Sequence, residues 1–208
     1  MGKMMPRLLP GANIWQVQDG AACSMTAVTL GTGVGGGIIL NGRILEGDNG
    51  AAGELGHMVI HQNGHPCTCG RKGCLEAYAS ATALVSRARE AMERSDESML
   101  WSLCKGDLSG VNGRMIFEAS EKGDSTACEV LDGFMEDLSE GIANIINILQ
   151  PEILCIGGGL SGAGEALLSS GEGENSTQNL FQSFPKEHPD SPCRDGERSR
   201  HHRSSLLK

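Results

Sequence analysis

The segment MTAVTLGTGVGGGIIL, residues 25–40, holds two strand-forming runs on either side of a glycine-rich turn. The first run is rich in threonine and valine, which favour strands. The second run ends before Asn41-Gly42, a dipeptide typical of a two-residue hairpin turn, and Arg43-Ile44-Leu45 follows it. The segment therefore predicts a strand, a glycine loop, a second strand, a tight turn and a third strand.

The glycine loop matches the dinucleotide-binding fingerprint by letter, as Gly31-x-Gly33-x-x-Gly36. That fingerprint requires a helix to begin at the third glycine so that the pyrophosphate meets the helix N-terminus. Here a β-branched run follows instead, and no lysine lies near the loop to complete a Walker motif. Two interpretations remain: the backbone N–H groups and the Thr32 hydroxyl bind phosphate, or the loop is a glycine-rich turn without a ligand.

Helices and strands alternate after the hairpin. Residues 126–150 carry apolar side chains at intervals of three and four and end at Pro151, which predicts the longest helix. Residues 153–156 predict a short buried strand that runs into Gly157-Gly158-Gly159. A further short strand is expected at residues 57–61, and helices are expected within residues 75–94, within residues 95–113 and from residue 161. This order predicts an α/β domain with a mixed sheet.

The charge and composition of the 208 residues exclude several classes of protein. A formal net charge of −9 offers no basic footprint for DNA or RNA, so nucleic acid is not an expected partner. No apolar run approaches the roughly 18 to 20 residues that span a bilayer, and the first residues contain no signal-peptide core. Cysteines grouped beside histidines indicate a reducing compartment. We therefore expect a cytoplasmic protein without membrane contact.

Three cysteines crowd into one short loop, Cys67-Thr68-Cys69-Gly70-Arg71-Lys72-Gly73-Cys74. Zn²⁺ prefers four nitrogen or sulfur ligands at tetrahedral corners, and a nearby histidine can supply the fourth. The candidates are His57, His61 and His65, of which the first two are favoured because a distant ligand would pin the loop to a strand. A site of three cysteines and one histidine has no open position, so its role would be structural. The alternative is a loop of ordinary reduced thiols.

Two carboxylates flank the predicted zinc loop, Glu54 in Glu54-Leu55-Gly56-His57 and Glu76 in Cys74-Leu75-Glu76. Carboxylate and imidazole groups that lie together can hold the vicinal hydroxyls of a sugar, because each of them makes two hydrogen bonds. Solvated surface acids are the more common explanation for such residue types.

Five motifs in order carry a resemblance to a known family. They are LGTGVGGG at 30–37, NGAAGELGH at 49–57, CTCG at 67–70, GCLEAYAS at 73–80 and IGGGL at 156–160. Together they closely resemble the ROK family (repressor, open reading frame, kinase) of bacterial sugar kinases, most of all its glucokinases. The resemblance implies an actin-like, ribonuclease H-like α/β fold, in which ATP and sugar lie in the cleft between two lobes. This chain would supply an incomplete version, mainly the second lobe.

The resemblance also implies roles for particular residues. Two glycine segments would border ATP through Gly31, Thr32, Gly33, Gly157, Gly158 and Gly159. Sugar hydroxyls would be bound by Glu54, His57 and Glu76. The zinc ligands would be His57, Cys67, Cys69 and Cys74. The implied cofactors are ATP, Mg²⁺ and a structural Zn²⁺, and family members commonly form homo-oligomers.

The function implied by the resemblance is ATP-dependent phosphorylation of D-glucose to glucose 6-phosphate, with glucose and ATP as small-molecule partners. Other ROK hexose kinases, acting on N-acetylmannosamine or fructose, are alternatives, because the residues that separate these sugars lie partly in the other lobe. A ROK transcriptional repressor that responds to sugar is a third possibility. Nothing before Met25 resembles the winged helix-turn-helix of such repressors, and the acidic charge is unfavourable for DNA binding.

One motif of the family is missing from the sequence. Family members carry Glu-Asn-Asp-Ala before the glycine loop, and that Asp is the general base. The aspartate that precedes Gly31 here is Asp19, in a context that does not match. Loss of a positioned base costs roughly 10²- to 10⁴-fold in rate. We therefore assign no catalytic residue and expect this polypeptide to be inactive or weakly active.

A shifted reading frame would account for the missing motif. The codons of Lys3-Met4-Met5-Pro6 permit Asn-Asp-Ala when they are regrouped from their third bases, which places the expected Asp near Met5. Regrouping residues 195–205 permits a string similar to the family's closing helix. We therefore predict out-of-frame residues 1–23, a kinase core at 24–168 with its zinc-binding loop at 57–76, and a low-apolar tail at 169–208 that is disordered or out of frame. Divergent tails with accidental regroupings are the alternative.

Overall fold

A computed structural model of the chain describes residues 24–160. The helix expected from residue 161 and the out-of-frame segments expected at 1–23 and 169–208 lie outside these residues. Within them, the hairpin strands come first, helices follow, and a final strand returns to the first one.

The strands of this region form one mixed sheet. Their bounds are Met25–Leu30 for β1, Val34–Leu40 for β2, Arg43–Ile44 for β3 and Ile153–Gly157 for β4. In the order β3-β2-β1-β4, β1 pairs antiparallel with β2 and parallel with β4, so the predicted mixed sheet is confirmed. At the hairpin, Asn41 and Gly42 adopt φ values of 53° and 70°, the left-handed conformation that this turn requires.

The helices lie between the hairpin and β4. Their bounds are Glu76–Ala79 for α1, Ala81–Met92 for α2, Leu100–Leu103 for α3, Gly113–Glu121 for α4 and Ser125–Leu149 for α5. Single 3-10 turns occur at Leu55–His57 and Leu108–Gly110. Even α5, the longest helix between residues 24 and 160, lacks the sustained apolar stretch of a membrane span, as do the others.

Helix α5 confirms the long helix predicted from apolar periodicity. It begins after Asp124, whose side chain accepts a hydrogen bond from the Ala127 N–H at 2.8 Å. It ends at Leu149, and the C-cap residue Gln150 adopts φ 43° immediately before Pro151. Its periodic apolar face, which includes Phe134 and Ile145, is buried in the main hydrophobic core.

Strand β1 is buried on both faces, since nearly all of its residues are buried and successive side chains along a strand point to opposite sides. Val28 and Leu30 belong to the main core together with residues of α2, α4 and α5. Met25 and Ala27 belong to a small second cluster. Since β1 and β4 are parallel, their C-terminal ends lie side by side at one edge of the sheet.

Two local expectations differ from the structure, and one helix was not expected. The strand expected at 57–61 is wrong, because the 3-10 helix includes His57 and the strand is reduced to a single bridge between Val59 and Cys74. The helix expected across 75–94 is interrupted at Ser80, whose backbone is extended and whose Oγ caps α2 by accepting from the Ala83 N–H at 3.0 Å. Helix α4 has no counterpart in the sequence-based assignment.

Candidate functional site

The histidine and cysteines of the 57–76 segment converge on one point. The ligand atoms of His57, Cys67, Cys69 and Cys74 all lie within 4.8 Å of one another. His57 Nδ1 is 3.5 Å from Cys67 Sγ, and Cys69 Sγ is 3.7 Å from Cys74 Sγ. Tetrahedral Zn²⁺ with sulfur at about 2.3 Å and nitrogen at about 2.0 Å separates its ligands by about 3.5 to 3.8 Å. Both measured pairs match that spacing.

Glycine turns fold the cysteine loop into this shape. The Cys67 N–H donates to the Arg71 carbonyl at 2.8 Å, and the Gly70 N–H donates to the Cys67 carbonyl at 3.0 Å. Gly70 adopts φ 86° and Gly73 adopts φ 80°, which side chains rarely allow. A side chain on Gly73 would also collide with the carbonyl of His61. The loop can therefore turn tightly enough to bring its sulfurs together.

The pKa values of Cys74 and Cys69 are shifted in opposite directions. Burial, together with the neighbouring Cys69 and Cys67 thiols, raises the pKa of Cys74 to about 12. A backbone hydrogen bond from Arg71 lowers the pKa of the exposed Cys69. Cys74 would therefore stay a neutral thiol unless a cation stabilised its thiolate. Three sulfurs and one imidazole nitrogen at this spacing fit Zn²⁺.

The other two candidate histidines lie outside the cluster. His61 Nε2 is 2.5 Å from Asp137 Oδ1 on α5, and Arg87 of α2 binds the other oxygen of the same carboxylate. His65 instead donates its backbone N–H to the Tyr78 hydroxyl oxygen at 2.7 Å. The sequence left His57 and His61 open as the distant ligand, and the geometry brings only His57 of the three to the sulfurs.

Glu76 connects the cysteine loop with the glycine loop. Its Oε1 accepts from Thr68 Oγ1 at 2.8 Å, and its Oε2 accepts from the Val34 N–H at 3.1 Å. Partial burial acts to raise the pKa of Glu76, but these hydrogen bonds and the nearby His57 outweigh it and hold the pKa below its usual range. Glu76 is therefore a carboxylate at neutral pH.

Glu54 and His57 lie beside each other. Glu54 Oε2 is 4.0 Å from His57 Nε2, and the Glu54 side chain is largely exposed. Because His57 Nδ1 faces Cys67, the ring turns its second nitrogen toward Glu54. A cleft of about 300 Å³ adjoins this region and is lined by Thr32, Thr68 and Glu76, among others. A larger cavity of about 660 Å³ lies between α2 and α5, and none of the sequence-predicted site residues lines it.

The two glycine segments meet at one edge of the sheet. Thr29 of β1 is paired with Gly157 of β4, so residues 31–33 and 157–159 both leave the C-terminal ends of parallel strands. Gly158 adopts φ 102°, and a side chain there would collide with the Leu30 carbonyl. The C-terminal ends of parallel strands are where α/β sheets usually bind ligands. This edge of the sheet is therefore the candidate site for a nucleotide.

Several glycines have a packing role that neither interpretation of the loop included. A side chain on Gly33 would collide with the Glu76 carboxylate. One on Gly36 would collide with the Gly53 carbonyl and with Leu55, and one on Gly56 would collide with the Val34 carbonyl. Gly36 and Gly56 allow the hairpin to contact the 3-10 helix that carries His57, and Gly33 leaves room for the Glu76 carboxylate. The spacing of these glycines in the sequence does not indicate that the hairpin packs against the 3-10 helix.

Known proteins are similar to this chain over most of its length. The sequence model of the ROK family matches residues 11–193. The chain belongs to the ROK family. A glucokinase of Halalkalibacterium halodurans is 45% identical to it over 157 residues. The DNA-binding transcriptional dual regulator NagC of Escherichia coli is 35% identical over 153 residues. The ROK family glucokinase of Streptomyces griseus, crystallised with glucose and AMPPNP, superposes with a TM-score of 0.67 at 34% identity.

These ROK proteins are longer than the region that matches. The alignments cover 74% of this chain but 47% of the H. halodurans glucokinase and 36% of NagC. The superposition covers 72% of this chain and 49% of the S. griseus enzyme. The chain thus spans about half the length of the glucokinases it matches. The actin-like α/β class expected from the motifs is confirmed by the likeness to ROK sugar kinase structures.

Proposed function

We propose that this chain binds D-glucose and ATP as part of a ROK-family glucokinase, which transfers the γ-phosphoryl group of ATP to give glucose 6-phosphate. The observation that carries the proposal is the position of His57. Its ring contacts the cysteine cluster through one nitrogen and faces Glu54 through the other. The glucokinase identities and the glucose-bound structural relative support the choice of sugar.

Glu54, His57 and Glu76 would hold the sugar hydroxyls. A metal on Nδ1 fixes the tautomer of His57, so Nε2 carries the proton and can donate to a hydroxyl. Glu76 is bonded at both oxygens, yet each oxygen keeps a lone pair that can accept from a sugar O–H. Zn²⁺ in this closed site would order the sugar-binding side chains and would not contact the reacting atoms.

The two glycine segments would border the nucleotide. The Thr32 and Gly33 backbone N–H groups and the Thr32 hydroxyl would face the phosphates, whereas Gly31, whose N–H donates to the Gly33 carbonyl, would shape the loop, and residues 157–159 would lie beside them. Mg²⁺ bound with ATP would neutralise charge on the transferred phosphoryl group. The general base of the family has no match before Gly31, so we expect glucose phosphorylation by this polypeptide to be weak.

Isothermal titration of the zinc-loaded chain with glucose tests the proposal. We expect glucose to bind, and Glu76→Gln to weaken binding by about tenfold or more because a charged acceptor is lost. Glu46→Gln, which changes an exposed carboxylate outside the cluster, should leave the affinity unchanged. Absence of glucose binding would refute the proposal. In a coupled assay, robust turnover would contradict the expectation of a missing base.

A sugar-responsive repressor is the second candidate, since NagC is a DNA-binding regulator and is 35% identical. A kinase should bind a nonhydrolysable ATP analogue, and the binding should depend on residues 31–33. Titration with N-acetylmannosamine and fructose beside glucose distinguishes the hexose kinases from one another. Binding of sugar without any binding of nucleotide would favour the repressor.

A further inference from the structure

Thr68 and Glu76 are joined by a hydrogen bond, and the proposed function assigns no role to Thr68. The Thr68 hydroxyl lies 2.8 Å from Glu76 Oε1, and the Val34 N–H lies 3.1 Å from Oε2. One donor comes from the cysteine loop and the other from the start of β2. The carboxylate is therefore held in one orientation by two separate parts of the chain.

The Val34 N–H depends on this carboxylate because of its place in the β1–β2 ladder. Val34 is paired with Leu30, and at the next position the Gly31 N–H donates to the Gly33 carbonyl at 2.9 Å. Hydrogen-bonded and non-hydrogen-bonded pairs alternate along an antiparallel ladder. The Leu30–Val34 pair is thus of the second kind, and the Val34 N–H points away from β1 toward Glu76.

With a metal in the cysteine cluster, Glu76 would depend more strongly on Thr68 as a hydrogen-bond donor. Cys67 Sγ is 3.7 Å from the same Glu76 oxygen and can donate to it as a thiol. A cysteine bound to Zn²⁺ is a thiolate and has no proton to donate. Within residues 24–160, the Thr68 hydroxyl is then the side-chain donor that remains on Glu76.

We propose that Thr68 is a positioning residue for sugar recognition. Its hydroxyl fixes the Glu76 carboxylate so that the free lone pairs point toward a polyhydroxylated ligand, and it couples the order of the cysteine loop to the glycine loop. The inference rests on the proposed sugar-binding function of Glu76. Thr68 lies between Cys67 and Cys69, two of the proposed metal ligands. Its proposed role requires no contact with the metal or with the reacting atoms.

Thr68→Val and Thr68→Ser test this role in the full, zinc-loaded chain. Valine keeps the shape and removes the hydroxyl, whereas serine keeps the hydroxyl. In the absence of sugar, Thr68→Val should speed hydrogen exchange of the Val34 amide by about three- to tenfold. In a separate glucose titration, the same variant should bind glucose more weakly by a similar factor. Thr68→Ser should match the wild type in both measurements. All three proteins should keep the same zinc content.

Each outcome of the comparison either supports or overturns the positioning role of Thr68. Unchanged Val34 exchange and glucose affinity in Thr68→Val would overturn the role, and so would a Thr68→Ser variant that behaves like Thr68→Val. Faster exchange in a protein whose wild type binds no glucose would refute the proposed function and the sugar part of this inference, and would leave only the hydrogen bond. Thr68→Ala provides the same comparison if Thr68→Val loses its zinc.

Discussion

The two ring nitrogens of His57 would link the proposed metal cluster to the proposed sugar site. Its Nδ1 is 3.5 Å from Cys67 Sγ, and its Nε2 is 4.0 Å from Glu54 Oε2. A ring nitrogen bound to a metal cannot carry a proton, so the second nitrogen becomes the donor. Loss of a single cysteine ligand should therefore disturb the sugar side of the ring as well as the metal.

Cys67→Ser should remove the metal, because a serine hydroxyl is a poor replacement for a thiolate on Zn²⁺. We expect about one zinc per wild-type chain, far less in the variant, and glucose binding weakened by at least about tenfold. Elemental analysis after dialysis and calorimetry measure the two effects. Cys128→Ser is the matched control, since Cys128 lies outside the cluster beside Ser120. A metal-free wild type would contradict the prediction.

The hairpin and the 3-10 helix are held together by glycines, and this is a property of elements. Gly36→Ala should destabilise the protein by about 1 to 3 kcal/mol, because the added methyl group would collide with the Gly53 carbonyl and Leu55. Gly37→Ala is the control on the same strand, with open space around its Cβ position. It should be neutral or stabilising by up to about 1 kcal/mol. Urea unfolding compares the variants, and equal midpoints would refute the packing role.

Local sequence patterns correctly predicted those elements that depend only on residues close together in the sequence. The periodicity of α5, the Asn41-Gly42 turn and the β4 run are of this kind. The strand expected at 57–61 failed, since His57 belongs to a 3-10 turn. Gly56 of that turn lies against Val34, a contact outside any local sequence window. The helix break at Ser80 depends on a cap that competes with helical propensity.

For the candidate functional site, too, the sequence predicted only those features that depend on local spacing. Cysteine spacing indicated the three sulfurs that the structure brings together. The residues alone left His57 and His61 open, because the choice depends on where each ring points. The contact between Thr68 and Glu76 follows from the curvature of the loop and has no spacing signal. The partner of His61 lies 76 residues away on α5, beyond the reach of any local pattern.

At the scale of the whole molecule, Asp137 ties three distant segments together. It is buried on α5, and its two oxygens bind His61 of the cysteine segment and Arg87 of α2. The His61 ring also packs on Tyr78 of α1, with ring centroids 4.6 Å apart. The cysteine segment is thereby anchored to the helical layer at a point separate from its ligands.

Asp137→Asn should lower the free energy of unfolding by about 2 kcal/mol. The amide keeps the shape but leaves the Arg87 guanidinium without its counter-charge, and the cost should lie between the values for exposed and fully buried pairs because Arg87 is partly exposed. Urea unfolding measures the loss. Asp132→Asn, an exposed position on the same helix, is the control and should change the free energy by less than about 0.5 kcal/mol. If both variants unfold at the wild-type midpoint, Asp137 does not anchor the cysteine segment, and the cluster alone must hold it in place.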